Sequence, residues 1–255
     1  MRIMLLFIDT ETTGLPKPSG TVFERWPRIV QLAWSAYDND GNRDSVTSHI
    51  IYPTDFVIPH DAALIHGITT DRAKKEGVSL FRVLPEMNRD IDRSLTIIAH
   101  NADFDLPIVN TEFLRCKIET TLLKKQKICT MKTPKIVNCC KIPKPSRYGY
   151  KWPTLTQLHS HLFGTGFSGS HNAHADVEAC AKCYFELCKR GIIEWKQMWN
   201  NQEVKRSGFF IKIKKKISLH SKSRLNIIPG SMKSYRFYRS NYLHPAPDSL
   251  LYPDE

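Results

Sequence analysis

The sequence predicts a mixed α/β domain carrying a basic C-terminal extension. Three observations support this expectation. Strand-like segments come first, then helical segments interleaved with further strand signal, an order typical of a sheet flanked by helices. The chain has 255 residues and is 41% hydrophobic, enough for a core of its own. The charge is also uneven. Of a formal net charge of +12, the stretch from Val204 to Pro247 supplies eleven Lys and Arg and no Asp or Glu.

Residues 3–9 are apolar on both faces and read as a strand in the middle of the sheet. Residues 29–37 and 45–52 read as two more strands, and the intervening "DNDGN" supports a hairpin. Short helices fit 60–66 and 70–76. Leu80, Val83, Leu84, Met87 and Ile91 recur at helical spacing, but Pro85 lacks a backbone donor and predicts a kink or a late start. A strand at 95–99 precedes a helix at 106–114. Residues 124–153, rich in Lys, Pro and Tyr, read as a long irregular connection. Helices follow at 154–163 and 173–189, the latter with Val177, Cys180, Ala181, Tyr184 and Leu187 or Cys188 on its core face.

The pattern changes near residues 200–207, which sets a domain at 1–206 and an extension at 207–255. In the extension "GFFIKIKKKISL" alternates apolar and basic residues, and "SYRFYRSNYLHP" interleaves Arg with Tyr and Phe. Such a stretch reads as a partner for a polyanion such as nucleic acid, or as a solvated tail. There is no run of about 18 apolar residues, so no membrane span is expected. The apolar N-terminal run is short for a signal peptide and leads straight into acids. Seven cysteines without a compact framework predict reduced thiols and a cytoplasmic location.

Three short segments carry the chemistry. In "FIDTETTG", Asp9 and Glu11 stand two apart on a strand and therefore share a face. Carboxylates this close repel unless something neutralises them, and Mg²⁺ or Mn²⁺ prefers oxygen ligands. In "HNADFD", Asp103 and Asp105 follow a strand and open a helix, where α/β sheets place functional groups. In "HNAHAD", His171 precedes a helix, and Asp176 sits one residue before core Val177, leaning towards the sheet. An imidazole there can accept a proton from water. Taken singly, each segment also fits a plain reading as a strand end or a helix cap.

Together the three resemble the motifs of the DEDDh class of 3′–5′ exonucleases, in order and spacing, over roughly residues 4–190. "IPHDAALIHGIT" at 58–69 is similar to a segment of bacterial members. The resemblance implies an RNase H-like fold, a mixed five-stranded sheet flanked by helices with its first three strands antiparallel. It also implies two divalent metal ions, Mg²⁺ or Mn²⁺. Asp9, Glu11 and Asp176 hold the first ion, and Asp9 with Asp105 the second, while His171 is the general base. Asn101, Phe104 and Asp105 fit the second motif, so Asp105 rather than Asp103 takes the metal role. His174 is a rival base whose spacing to Asp176 does not match.

Further implied are substrate contacts by the backbone of Thr12 and Thr13, by Leu15 as a wedge against the 3′-terminal base, and by His66 and Asn101. The expected partner is nucleic acid with a free 3′ end, released as 5′-mononucleotides. Single-stranded DNA is favoured because the motifs are nearest those of proofreading enzymes, and a polymerase is a candidate partner. RNA trimming and a non-catalytic binding module are the alternatives; the five filled catalytic positions argue against the second. Cys180 and Cys183 form a CxxC, but within a helix this spacing lines the core face rather than a zinc site.

Overall fold

The computed structural model describes residues 5–194, apart from Pro18, Asn39, Ser146 and Arg147. The domain boundary expected near 200–207 and the basic extension lie outside the described residues.

Five strands form one sheet in the order β3-β2-β1-β4-β5. They are β1 (Leu5–Thr12), β2 (Ile29–Tyr37), β3 (Arg43–Ile50), β4 (Thr96–Ala99) and β5 (Gln126–Cys129). β1, β2 and β3 pair antiparallel, whereas β4 joins β1, and β5 joins β4, in parallel. This is the expected five-stranded mixed sheet. The turn after β2 closes on the Asp38 side chain, which accepts from the N–H groups of Asp40 (2.8 Å) and Asn42 (2.9 Å).

Helices cover both faces. They are α1 (Val22–Arg25), α2 (His60–His66), α3 (Thr70–Glu76), α4 (Leu80–Arg93), α5 (Ala102–Arg115), α6 (Pro134–Cys140), α7 (Leu155–Phe163) and α8 (Ala173–Lys189). Side chains of β1 alternate between the two layers. Leu6 and Ile8 enter a core with Leu84, Met87 and Ile91 of α4 and Leu106, Val109 and Phe113 of α5. Phe7 points the other way, into a ring cluster with Tyr37, Tyr184 and Phe185 that seats α8 on the sheet.

Several elements differ from expectation. β1 runs on through Thr12, so both acids lie within the strand rather than at its end. α4 carries Pro85 without interruption from its Ser79 cap. α5 starts at Ala102, four residues earlier than expected, which brings Asp105 into its first turn. Residues 124–153 are not one irregular connection, since they hold β5, α6 and a bridge between Pro143 and Tyr150. α1 is one turn held by a capping box in which Thr21 and Glu24 bond reciprocally.

Candidate active site

β1 outruns its neighbour β4, whose pairing with it ends at Phe7. Beyond that point Asp9 and Glu11 project from the face that carries Phe7 and α8. Gln31 lies across from Glu11 in the β1–β2 register, and its side-chain oxygen accepts from the N–H of Ala173 at 3.1 Å. That bond pins the start of α8 beside Glu11 and delivers Asp176. Oxygens of Asp9, Glu11 and Asp176 all lie within 4.8 Å of one another, a spacing suited to one cation.

Asp105 reaches the same place from α5. Its Oδ1 accepts a 2.7 Å hydrogen bond from the hydroxyl of Thr10, the residue between the two acids of β1. Asp103 does not join them. It is exposed and pairs with Lys127 and Lys132.

The electrostatics follow from burying four carboxyls together. Burial, with Asp105, Asp176 and Glu11 around it, drives Asp9 well above the usual carboxylate range. Burial, with Asp176 and Asp105, pushes Glu11 up to about 8. Burial raises Asp105 to about 7 against the pull of the Thr10 bond, and raises Asp176 to about 6 against the backbone N–H groups of His171 and Asn172. Such a cluster holds protons or cations and does not tolerate four bare charges.

This has a consequence for stability. The four folded values exceed the unfolded ones near 4, so the folded chain retains protons that the unfolded chain releases. Their contribution is complete below about pH 4 and is lost as pH rises through about 6 to 8. Metal-free Asp9→Asn is therefore expected to melt higher than the parent at pH 8, by roughly 2–4 °C per kcal/mol of repulsion relieved. The difference should vanish near pH 4. Melting curves with a chelator at the two pH values check this.

His171 lies at the mouth of the cluster, exposed, with a left-handed φ of 65°. Asn101, just before α5, has a φ of 78°, and its side-chain oxygen is buried without a partner among the described residues. Left-handed backbone is uncommon outside glycine, and two such residues flank this site. His174 turns away, with Nε2 3.9 Å from Glu178, which itself pairs with Arg43.

The turn after β1 completes the surroundings. Thr12 Oγ1 donates to the Gly14 carbonyl at 2.8 Å. Thr13 accepts at its hydroxyl from the Arg28 N–H (3.0 Å) and returns its own N–H to the Arg28 carbonyl (2.9 Å). Leu15 beyond it is 53% exposed. His66, the last residue of α2, is buried. Its Nδ1 accepts from the Ile68 N–H at 3.1 Å, so Nε2 carries the hydrogen. Burial lowers its pKa, while the Thr12 backbone opposes that shift and nearby His171 adds to it.

The structure thus brings Asp9, Glu11, Asp105 and Asp176 together, with the His171 backbone bonded to Asp176 and His66 close to Thr12 and His171, while Thr13, Leu15 and Asn101 are placed there only by their neighbours in the chain. Sequence reasoning missed Thr10 and Gln31. Nothing marked Gln31, whereas Thr10 stood in view between the two acids.

The comparisons with known proteins agree with this geometry. A family model described as exonuclease, of the RNase T type, matches residues 6–184. The chain is 26% identical over 176 residues to the DNA polymerase III subunit epsilon of Treponema pallidum (strain Nichols), covering 69% of this chain and 72% of that protein. Among solved structures it is similar to E. coli exonuclease I bound to single-stranded DNA, at TM-score 0.59 and 20% identity over 73% of this chain. It is likewise similar to exonuclease I from Methylocaldum szegediense, at TM-score 0.57 and 19% identity over 73% of this chain. In both cases the match spans 40% of the other chain, so it bears on the shared fold alone.

Proposed function

Given that the chain belongs to this exonuclease family and is a 3′–5′ exonuclease, we propose that its substrate is a single strand of DNA, released as 5′-mononucleotides. The observation that carries this reading is the convergence of four carboxyls, Asp105 and Asp176 buried and Asp9 and Glu11 half-buried, with an exposed histidine beside them. Support for DNA comes from the T. pallidum relative, a DNA polymerase subunit, and from E. coli exonuclease I, solved with single-stranded DNA.

Family membership implies divalent metal ions, and the donor set fits them: hard oxygens, close together, and electrostatically frustrated when empty-handed. Asp9, Glu11 and Asp176 would hold one ion, and Asp9 with Asp105 a second, Mg²⁺ or Mn²⁺. When bound, such ions neutralise charge at the attacking and leaving oxygens of a phosphodiester. The chain's own residues do the remaining work. His171 accepts the proton of the attacking water. The turn at Thr12 and Thr13 receives the terminal nucleotide, Leu15 packs on its base, and His66 and Asn101 offer polar atoms to its sugar and phosphate. Thr10 fixes the rotamer of Asp105, and Gln31 fixes the approach of α8.

The test uses DNA and RNA single strands of one sequence, each labelled at the 5′ end, with Mg²⁺. The DNA is expected to shorten stepwise from its 3′ end, faster than the RNA, and a closed circular strand to survive. Faster loss of the RNA would transfer the assignment to an exoribonuclease, and nicking of the circle would overturn it. Association with a polymerase is a further reading, favoured by the T. pallidum relative being a polymerase subunit.

No helix among the described residues is long and apolar enough to cross a membrane.

A further inference from the structure

Residues 142–144 and 149–151 pair as the two arms of a small hairpin outside the site. Pro143 bridges to Tyr150, the Lys144 N–H donates to the Gly149 carbonyl (3.2 Å), and the Lys151 N–H donates to that of Ile142 (2.8 Å). Aromatic residues recur at every second position, Tyr148, Tyr150 and Trp152, with Gly149 turning the backbone through a left-handed φ of 87° between the first two. All three are exposed, Tyr148 by 89%. Three large rings left in water on one short segment are unusual and mark a contact surface.

The charge of this stretch of sequence is one-sided. From residue 120 to residue 175 the chain contains nine Lys and Arg and no Asp or Glu. Lys141 and Lys144 are exposed on the hairpin and its approach. Lys132 lies with Nζ 5.1 Å from the centre of the Trp152 ring.

The hairpin is tied to the site. His100, adjacent to Asn101, is half-buried, and desolvation of its ring lowers its pKa to about 4, so the ring is neutral. Its Nε2 lies 3.1 Å from the carbonyl of Pro153, which can only accept, so Nε2 donates. Its Nδ1 then accepts from the Thr130 hydroxyl at 3.0 Å. Lys132, beneath Trp152, also lies 3.3 Å from Asp103, two residues before Asp105. The ring row therefore begins at the strand end that supplies the second acidic motif.

We propose that this hairpin is a binding surface for the unpaired strand leading into the site, Tyr148, Tyr150 and Trp152 stacking on bases while Lys141 and Lys144 meet phosphates. The inference rests on the reading of the site given above. Exposed rings and the lysines of this acid-free stretch, Lys141 and Lys144, match the two repeating features of a single strand, bases and phosphates. An acidic polypeptide would satisfy the lysines but leave the rings unmatched.

The full chain and its Tyr148→Ala/Tyr150→Ala variant separate the possibilities. Both positions are exposed, so the fold is expected to survive, and a melting curve verifies it. With a chelator present, fluorescence anisotropy on a labelled 12-nucleotide DNA should show binding weakened roughly 5- to 100-fold. With Mg²⁺, kcat and KM on a trinucleotide should stay as in the parent, since so short a strand does not reach the hairpin. Unchanged affinity for the 12-nucleotide strand would overturn the proposal. So would an equal loss on the trinucleotide, which would place the tyrosines at the site itself. A parent chain that hydrolyses neither strand would instead overturn the proposed function, and the inference with it.

Discussion

Asp9→Asn is expected to abolish nearly all turnover, with kcat falling about 10²–10⁴-fold while the protein remains folded. Asparagine keeps the shape of the side chain but removes its charge and one oxygen ligand. Asp9 is the acid for which this matters most, because its titration is disturbed by Asp105, Asp176 and Glu11 together. It is the centre of the cluster, and any cation held by either side of the cluster leans on it. Charge stabilisation by such ions amounts to several kcal/mol, and each 1.36 kcal/mol is about tenfold in rate. The control is Asp103→Asn, only two residues from Asp105 but exposed and paired with Lys127 and Lys132. It should leave kcat within about twofold, since an exposed ion pair contributes on the order of 1 kcal/mol or less to stability and touches no reacting atom. Steady-state assays on both variants at saturating Mg²⁺ check this. Equal losses would mean that the acids act through overall charge rather than through the cluster.

On the proposed role of His171, His171→Ala is expected to lower kcat by about 10²–10⁴-fold, the usual contribution of a general base. Affinity for metal should be unchanged, because all four carboxyls remain. His174→Ala should be mild, because its imidazole leans on Glu178 on the side of α8 that meets Arg43. The distinguishing measurement is kcat for each variant at saturating Mg²⁺. A larger loss in His174→Ala would move the base by three residues.

Much of the site was legible because its acids sit in local grammar. Asp9 and Glu11 follow an apolar run at period two, and Asp176 precedes a helix face whose spacing runs unbroken from Val177 to Leu187. Other parts were illegible for physical reasons. β5 is four residues long, its first two side chains are exposed, and one of them is lysine, so it carries almost no apolar period. The start of α5 was misplaced because Asn101 turns the chain through a left-handed conformation that no propensity registers. The Thr10–Asp105 bond joins residues 95 apart, and the Gln31–Ala173 bond residues 142 apart. Neither is visible until the sheet order is known. The hairpin at 142–152 was hidden in a stretch that looked irregular, because its pairing is confined to a few backbone bonds.

The distance in sequence between β1 and α8 also governs when activity can exist. Asp9 and Glu11 belong to the first strand, whereas His171 and Asp176 arrive only with the last described helix, anchored by Gln31 and the Phe7–Tyr184 contact. During synthesis the chain emerges N-terminus first. A nascent chain that has released β1 to α7 holds three acids and no base, and the seat for α8 is an uncovered ring surface. On the proposed assignment of these residues, chemistry switches on with the docking of one helix. An unfinished or truncated copy that lacks α8 is expected to be inert towards nucleic acid rather than a loosely controlled nuclease.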